Sequence, residues 1–287
     1  MPNWAFRVSH WAAKLAELHP PTGIRLAGPL GYRLGPAAGP RRSATPEMIQ
    51  RIWKELSPAE VEEVRRRMAR QEFRNRTIRR IYKKNGTAGV ASRVSVDPGP
   101  LPGLLEQGRG VIVSSWHLGP SRAVSLGLNG LGLDLVYATF SGPAGEEDLD
   151  GLPYFEIKGD HFYARFLKSA VDTLRSGGVV GMSLDAAFGK TEPMSFLGGM
   201  LPTPRGAAAL ARISGAPMVP VTSRWSDRGG RMQVKLHDPL PEPDVDRGDR
   251  DAWERAMMES ALHWFADFLR ANPELVRLKE LKRYVRD

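Results

Sequence analysis

Cysteine is absent from the 287-residue chain, which excludes disulfides, thiolate metal sites and a cysteine nucleophile. Its absence suits a reducing compartment. Long apolar runs are absent too. No window approaches the ~18 consecutive apolar residues of a membrane span, so membrane contact is expected to be peripheral. Arg7 and Lys14 interrupt the early apolar residues, so no secretory leader is expected. Carboxylates are in deficit: Asp and Glu total 32 against 41 Lys and Arg, leaving +9. A surplus of that size favours an anionic partner, such as phospholipid headgroups, nucleic acid or a phosphorylated cofactor. The nucleotide fingerprints G-x-G-x-x-G and G-x-x-x-x-G-K-[ST] do not occur in the expected contexts, nor do H-E-x-x-H or G-x-S-x-G. The six His lack helical metal-ligand spacing, so no metal site is expected. What remains, 41% hydrophobic and 25% charged residues, is ordinary globular composition and excludes a wholly disordered chain.

The amino-terminal third reads as helical. Trp4, Phe6, Trp11, Leu15 and Leu18 share a loosely helical face that suits either a membrane interface or packing on the domain. Residues 28–42 read as a connector rich in Gly and Pro. Two helices follow over 45–84. Ser57-Pro58-Ala59-Glu60 is a start signal for the second, with Ser at the N-cap, Pro at the first position and Glu three residues after the cap. Val64, Met68, Phe73, Ile78, Ile81 and Tyr82 form its expected buried side. Arg65, Arg66, Arg67, Arg70, Arg74, Arg76, Arg79, Arg80, Lys83 and Lys84 form a ridge suited either to phosphate contact or to solvent. Asn85-Gly86 stops the helix.

From residue 109 short apolar runs alternate with helical stretches. Strands are expected at 110–115, 133–138, 179–184 and 218–222, with 232–236 antiparallel at an edge. Helices are expected at about 119–130, 162–176, 204–214 and 251–270, the third starting at Thr203-Pro204. This alternation predicts an α/β fold, a mainly parallel central sheet flanked by helices, with an amino-terminal helical segment. The expected division is 1–95 for the helical segment and 96–287 for the α/β domain.

His117 lies just past the end of the first strand, in Ser114-Ser115-Trp116-His117-Leu118-Gly119. Open α/β sheets bind ligands outside the carboxyl ends of their strands, and a neutral imidazole there suits a general base. A structural hydrogen bond is the plainer role. Ser114 and Ser115 lie inside the strand without a tight elbow and are poor nucleophile candidates.

Two further stretches, residues 165–185 and the block from Phe196-Leu197-Gly198-Gly199 through Thr203-Pro204-Arg205-Gly206 to Val221, complete a pattern. In order and spacing, with the His117 strand, they resemble the bacterial lipid A biosynthesis (lauroyl/myristoyl) acyltransferases, and more broadly the lysophospholipid acyltransferases. The resemblance covers about residues 100–240. It implies acyl transfer from a thioester to a hydroxyl or amine, with an acyl donor as co-substrate and no bound cofactor. The donor is expected on CoA or an acyl carrier protein, with tRNA raised by the positive charge alone. An anionic lipid or phosphorylated acceptor and a cytoplasmic place at the inner face of a membrane are also expected. The family motif H-x-x-x-x-[DE] pairs a His base with an orienting acid. His117 fills its first position, but Arg122 stands in the last. A carboxylate beside an imidazole raises its pKa and fixes its tautomer, whereas a guanidinium lowers the pKa.

Three readings follow. Another acid orients His117, with Asp185 the first candidate and Asp160 the second. Or an amine acceptor needs less base help. Or transfer has been lost and a binding groove kept. The candidate catalytic pair is therefore His117 and Asp185. The candidate substrate contacts are Arg122, Arg165, Ser115, Trp116, Gly119, Phe196, Gly198 and Arg205. A soluble acyl- or aminoacyl-transferase with a CoA, carrier-protein or tRNA donor and a small-molecule acceptor, or a non-catalytic binding protein on the same scaffold, are the competing functions.

Overall fold

The computed structural model describes residue 14 and residues 19–38, 44–139, 154–156, 162–186, 191–227 and 230–284. Trp4, Phe6, Trp11, Leu15, Leu18 and Asp160 lie outside the described residues.

The strands are β1 (Val94–Asp97), β2 (Val111–Ser115), β3 (Leu135–Thr139), β4 (Tyr154–Glu156), β5 (Val179–Ser183), β6 (Thr191–Phe196), β7 (Gly199–Pro204), β8 (Met218–Trp225) and β9 (Met232–Leu236). Seven of them form one sheet in the order β1-β9-β8-β2-β5-β3-β4. β8, β2, β5, β3 and β4 run parallel, β9 is antiparallel to β8, and β1 runs parallel to β9. β9 was expected at an edge, but β1 lies outside it. β1 is too short and half-buried to stand out by periodicity. β6 and β7 form a separate hairpin.

The helices, in chain order, are α1 (Pro20–Leu34), α2 (Pro46–Ile52), α3 (Pro58–Asn85), α4 (Ala88–Ala91), α5 (Leu101–Glu106), α6 (Arg122–Asn129), α7 (Phe162–Arg175), α8 (Gly206–Ser214), α9 (Arg250–Ala271) and α10 (Leu278–Tyr284). They cover both faces of the sheet. Ile112 and Val180 face one apolar cluster with residues of α7, α8 and α9. Val111, Val113 and Val179 face the other, with Ala123, Val124 and Leu128 of α6. Both faces of the central strands are therefore dry, as a parallel sheet requires.

α3 begins with the expected capping box: the Ser57 hydroxyl accepts from the Glu60 amide, and the Glu60 carboxylate accepts from the Ser57 amide. Its Val61, Val64 and Met68 belong to the first cluster, and its Ile78, Ile81 and Tyr82 to the second. The helix therefore crosses an edge of the sheet. Asn75, midway along it, donates to the Gly119 carbonyl at 2.9 Å and accepts from Trp225 Nε1 at 2.9 Å. Gly119 follows β2 and Trp225 ends β8, so the edge crossed is the carboxyl one.

Two expectations are corrected. Residues 28–34, read as part of a connector, belong to α1. Gly28, Gly31 and Gly35 turn one face toward α3, and a Cβ on Gly31 would lie 2.8 Å from the Ala69 carbonyl oxygen. These glycines permit close helix packing rather than a turn. Thr203-Pro204, read as a helix start, ends β7 instead. α8 is preceded by Arg205 at its N-cap, and the Thr203 hydroxyl donates back to the Leu201 carbonyl.

His237, just past β9, packs edge-on to Trp264 with ring centroids 4.8 Å apart, and its Nε2 lies 2.9 Å from the Thr222 hydroxyl. Burial lowers its pKa, the Lys235 cation adds to this, and Asp238 and Asp97 oppose it. An unfolded His takes its proton near pH 6.5. Below that pH the unfolded chain binds a proton that the folded chain refuses, so stability falls until the lower folded pKa is reached. Urea unfolding at pH 7.5 and pH 5 is expected to show a smaller acid loss for His237→Gln than for the unaltered protein.

Candidate functional site: a His–Asp pair at the carboxyl edge

The pairing register assembles the site. Ser115 of β2 lies opposite Ser183 of β5, and the Leu184 amide extends the ladder by donating to the Ser115 carbonyl at 2.9 Å. Two residues farther along each chain, His117 and Asp185 meet. His117 Nδ1 lies 2.8 Å from Asp185 Oδ1, and the His117 amide donates to Oδ2 at 3.2 Å. The carboxylate thus holds both the ring and the backbone of His117. Asp185 is 1% exposed. The His117 side chain is 38% exposed. A proton on Nδ1 directed at Oδ1 leaves the lone pair on Nε2, the tautomer a general base needs.

Beneath the pair lies a group of hydroxyls. Ser115 Oγ donates to the Met182 carbonyl at 3.1 Å and lies 2.9 Å from Ser183 Oγ and 3.0 Å from the Tyr137 hydroxyl. Burial raises the Tyr137 pKa, Ser115 and Ser183 oppose that, and the Asp185 charge adds to it. All three hydroxyls therefore stay neutral and polar under the imidazole.

Behind the pair stands an aromatic wall. Trp116 is 2% exposed and stacks on Phe196 with centroids 4.6 Å apart. It also meets Phe265 at 5.1 Å and donates from Nε1 to the Tyr284 hydroxyl at 2.7 Å. Trp116 and Phe196, candidates for substrate contact, are core residues in this structure: alternation past β2 sends the Trp116 ring to the face opposite His117, and Phe196 is on the buried side of β6 that packs against it. The loop after β2 is also clamped. Gly119 has φ +45°, its amide donates to the Leu275 carbonyl, and a Cβ there would lie 2.6 Å from the Ser223 carbonyl oxygen. Only glycine fits that passage.

The remaining candidates spread out. Arg122 opens α6 with its guanidinium 4.8 Å from the Tyr82 ring centroid. Burial lowers its pKa, with Arg79 and Arg277 acting the same way against Tyr82. Arg165 is exposed on α7. Gly198 is exposed in the β6–β7 turn. Arg205 reaches Asp251 at 3.2 Å and Glu192 at 3.7 Å, tying α8 to α9 and β6. Sequence reasoning missed Asn75, Tyr137, Ser183, Arg283 and Tyr284. The register would have found Ser183 once β2 and β5 were paired. The others carry no local signal.

A comparison with protein families matches residues 157–275 to bacterial lipid A biosynthesis acyltransferase. That match supports membership of the lipid A biosynthesis acyltransferase family. It also supports a general acyltransferase function. The segment matched to the acyltransferase family contains Asp185 and runs from before α7 to Leu275, whereas His117 lies outside it. A comparison with curated proteins gave no match. Among the described residues no helix is long and apolar enough to cross a membrane.

Proposed function

We propose that the protein moves an acyl group from a thioester to a hydroxyl or amine acceptor, with His117 as the general base. The observation that carries this reading is the 2.8 Å contact between His117 Nδ1 and a buried Asp185 carboxylate. Nε2 removes the acceptor's proton as its oxygen or nitrogen attacks the thioester carbonyl. The tetrahedral intermediate collapses and the C–S bond breaks. The leaving thiolate then takes the proton from the imidazolium. Asp185 stabilises that transient cation and holds the ring, the role the acid of a triad plays. The acid missing at position 122 is thereby supplied from the adjacent strand, and the Arg122 guanidinium, set against the Tyr82 ring, suits contact with an anionic group of the substrate.

The donor is an acyl group on CoA or an acyl carrier protein. The acceptor is lipid-like and anionic. Arg122, with Arg79 and Arg277 acting on it, lies five residues after His117. Exposed Lys83 and Lys84 continue the same basic surface on α3. Such a surface suits phosphorylated headgroups and peripheral contact with an anionic membrane face.

The test is mass spectrometry of reactions that pair acyl-CoA or acyl carrier protein donors with lysophospholipid and phosphorylated glycolipid acceptors. Product is expected with the unaltered protein. His117→Ala is expected to lower turnover by about 10²–10⁴-fold, the usual worth of a general base. Equal rates for the two proteins would overturn the reading. Flotation with anionic vesicles at low salt is expected to carry the protein, and 0.5 M salt (~4 Å Debye length) is expected to release it.

A further inference from the structure

The carboxyl-terminal segment 275–284 touches the chain on both sides of His117 and at Asp185. The Leu275 carbonyl accepts from the Gly119 amide at 2.8 Å. Val276 bridges Leu118 in an isolated antiparallel pairing. Arg277 Nη1 donates to Ser121 Oγ at 3.2 Å. Arg283 Nη1 donates to the Asp185 carbonyl at 3.1 Å. The Tyr284 hydroxyl accepts from Trp116 Nε1 at 2.7 Å. The chain before His117, the chain after it and the chain at Asp185 thus share one support. Residues 276–284 of that support lie beyond the region matched to the family.

The support is needed for a physical reason. The ladder between β2 and β5 ends with the Leu184 amide on the Ser115 carbonyl. Past that bond the sheet no longer fixes the Asp185 peptide, yet a proton-transfer site tolerates errors of only about 0.5 Å. Arg283 supplies the donor that the ladder lacks. Arg283 is itself fixed, because the same Nη1 donates at 2.6 Å to Glu280, which is 2% exposed. The resulting chain of contacts runs from Glu280 to Arg283, from Arg283 to the Asp185 peptide carbonyl, and from the Asp185 carboxylate to His117, and α10 carries the first two on one turn.

We infer that the segment 275–284 positions the His–Asp pair, and that Arg283, held by Glu280, is the positioning residue for Asp185. This inference rests on the reading of His117 as the base. Arg283 reaches the Asp185 peptide carbonyl and not the reacting nitrogen of His117. It acts by fixing where the Asp185 carboxylate stands, and hence which ring nitrogen of His117 carries the proton.

Nitrogen-15 and proton NMR of the full chain tests the inference without a substrate. His117→Gln identifies the His117 signals. The unaltered protein is expected to show a downfield, slowly exchanging proton on Nδ1. In Glu280→Gln/Arg283→Gln, which removes both charges together, that proton is expected to exchange about tenfold faster or more, with the fold retained by circular dichroism. Arg283→Lys is expected to restore it. An unchanged Nδ1 proton in the double variant overturns the inference, while leaving the base reading to the acyl-transfer assay.

Hydrogen exchange of the unaltered protein covers the case where the double variant fails to fold. The His117 and Gly119 amides are expected to exchange together with those of residues 278–284. Protection of His117 and Gly119 that outlasts the segment by about tenfold overturns the inference. A wild-type spectrum with the proton on Nε2 would sink the base reading itself, and the amide exchange would then decide whether the segment supports this edge of the sheet.

Discussion

Asp185→Asn is expected to lower acyl-transfer turnover by about 10⁴-fold with the fold intact, the effect seen when the acid of a triad becomes an amide. The geometry gives the reason. One carboxylate oxygen accepts from the His117 amide at 3.2 Å, and the other faces Nδ1 at 2.8 Å. An Asn side chain has one acceptor and one donor end. Its oxygen stays on the backbone N–H, because an NH₂ group there would set donor against donor. Its NH₂ then faces Nδ1, and the ring moves its proton to Nε2. The nitrogen that should accept a proton no longer can. Two measurements check this together: turnover with the best donor and acceptor pair, and the protonated nitrogen of His117 by nitrogen-15 NMR. Asp185→Ala frees the tautomer and is expected to retain more activity than Asn. The opposite order would show that charge, and not tautomer, is the larger part of the role of Asp185.

Trp116→Ala is expected to destabilise the protein by about 3–5 kcal/mol, the usual cost of emptying a buried aromatic site. The indole fills the space between Phe196 and Phe265 and is 2% exposed. Its N–H is also the donor to the Tyr284 hydroxyl, which burial and the Asp185 charge keep firmly protonated. Trp116→Phe keeps most of the apolar volume and removes only that donor. It is expected to cost about 1–3 kcal/mol, the penalty for one unmet buried polar group. Urea unfolding of the three proteins measures both numbers. A loss under about 1 kcal/mol for Trp116→Ala would mean that the wall behind His117 is not the packed core described above.

Much of the fold was legible because its signals are local. Alternating apolar runs marked β2, β5 and β8. Ser57, Pro58 and Glu60 marked the start of α3. The apolar spacing from Val64 to Tyr82 marked the face that is indeed buried. The errors came where one residue type serves two purposes. Glycine at 28 and 31 reads as a chain break until a second helix approaches. Pro204 reads as a helix start, yet it pairs with Thr191 in a hairpin.

The site divides along the same line. By itself the sequence determined that a lone imidazole follows a strand end, that Arg122 lies five residues after it with no acid between, and that acids such as Asp185 follow other strand ends. Those are statements about order along the chain, and patterning fixes order. Only the tertiary structure decided that β2 and β5 are neighbours in a register that sets His117 against Asp185, and that Arg283 and Tyr284 close around them from the far end of the chain. Contacts between residues 68 to 168 positions apart leave no periodic trace. They exist because burying both faces of a parallel sheet brings distant segments to one edge, where the carboxylate that the chain lacks nearby is supplied from the adjacent strand.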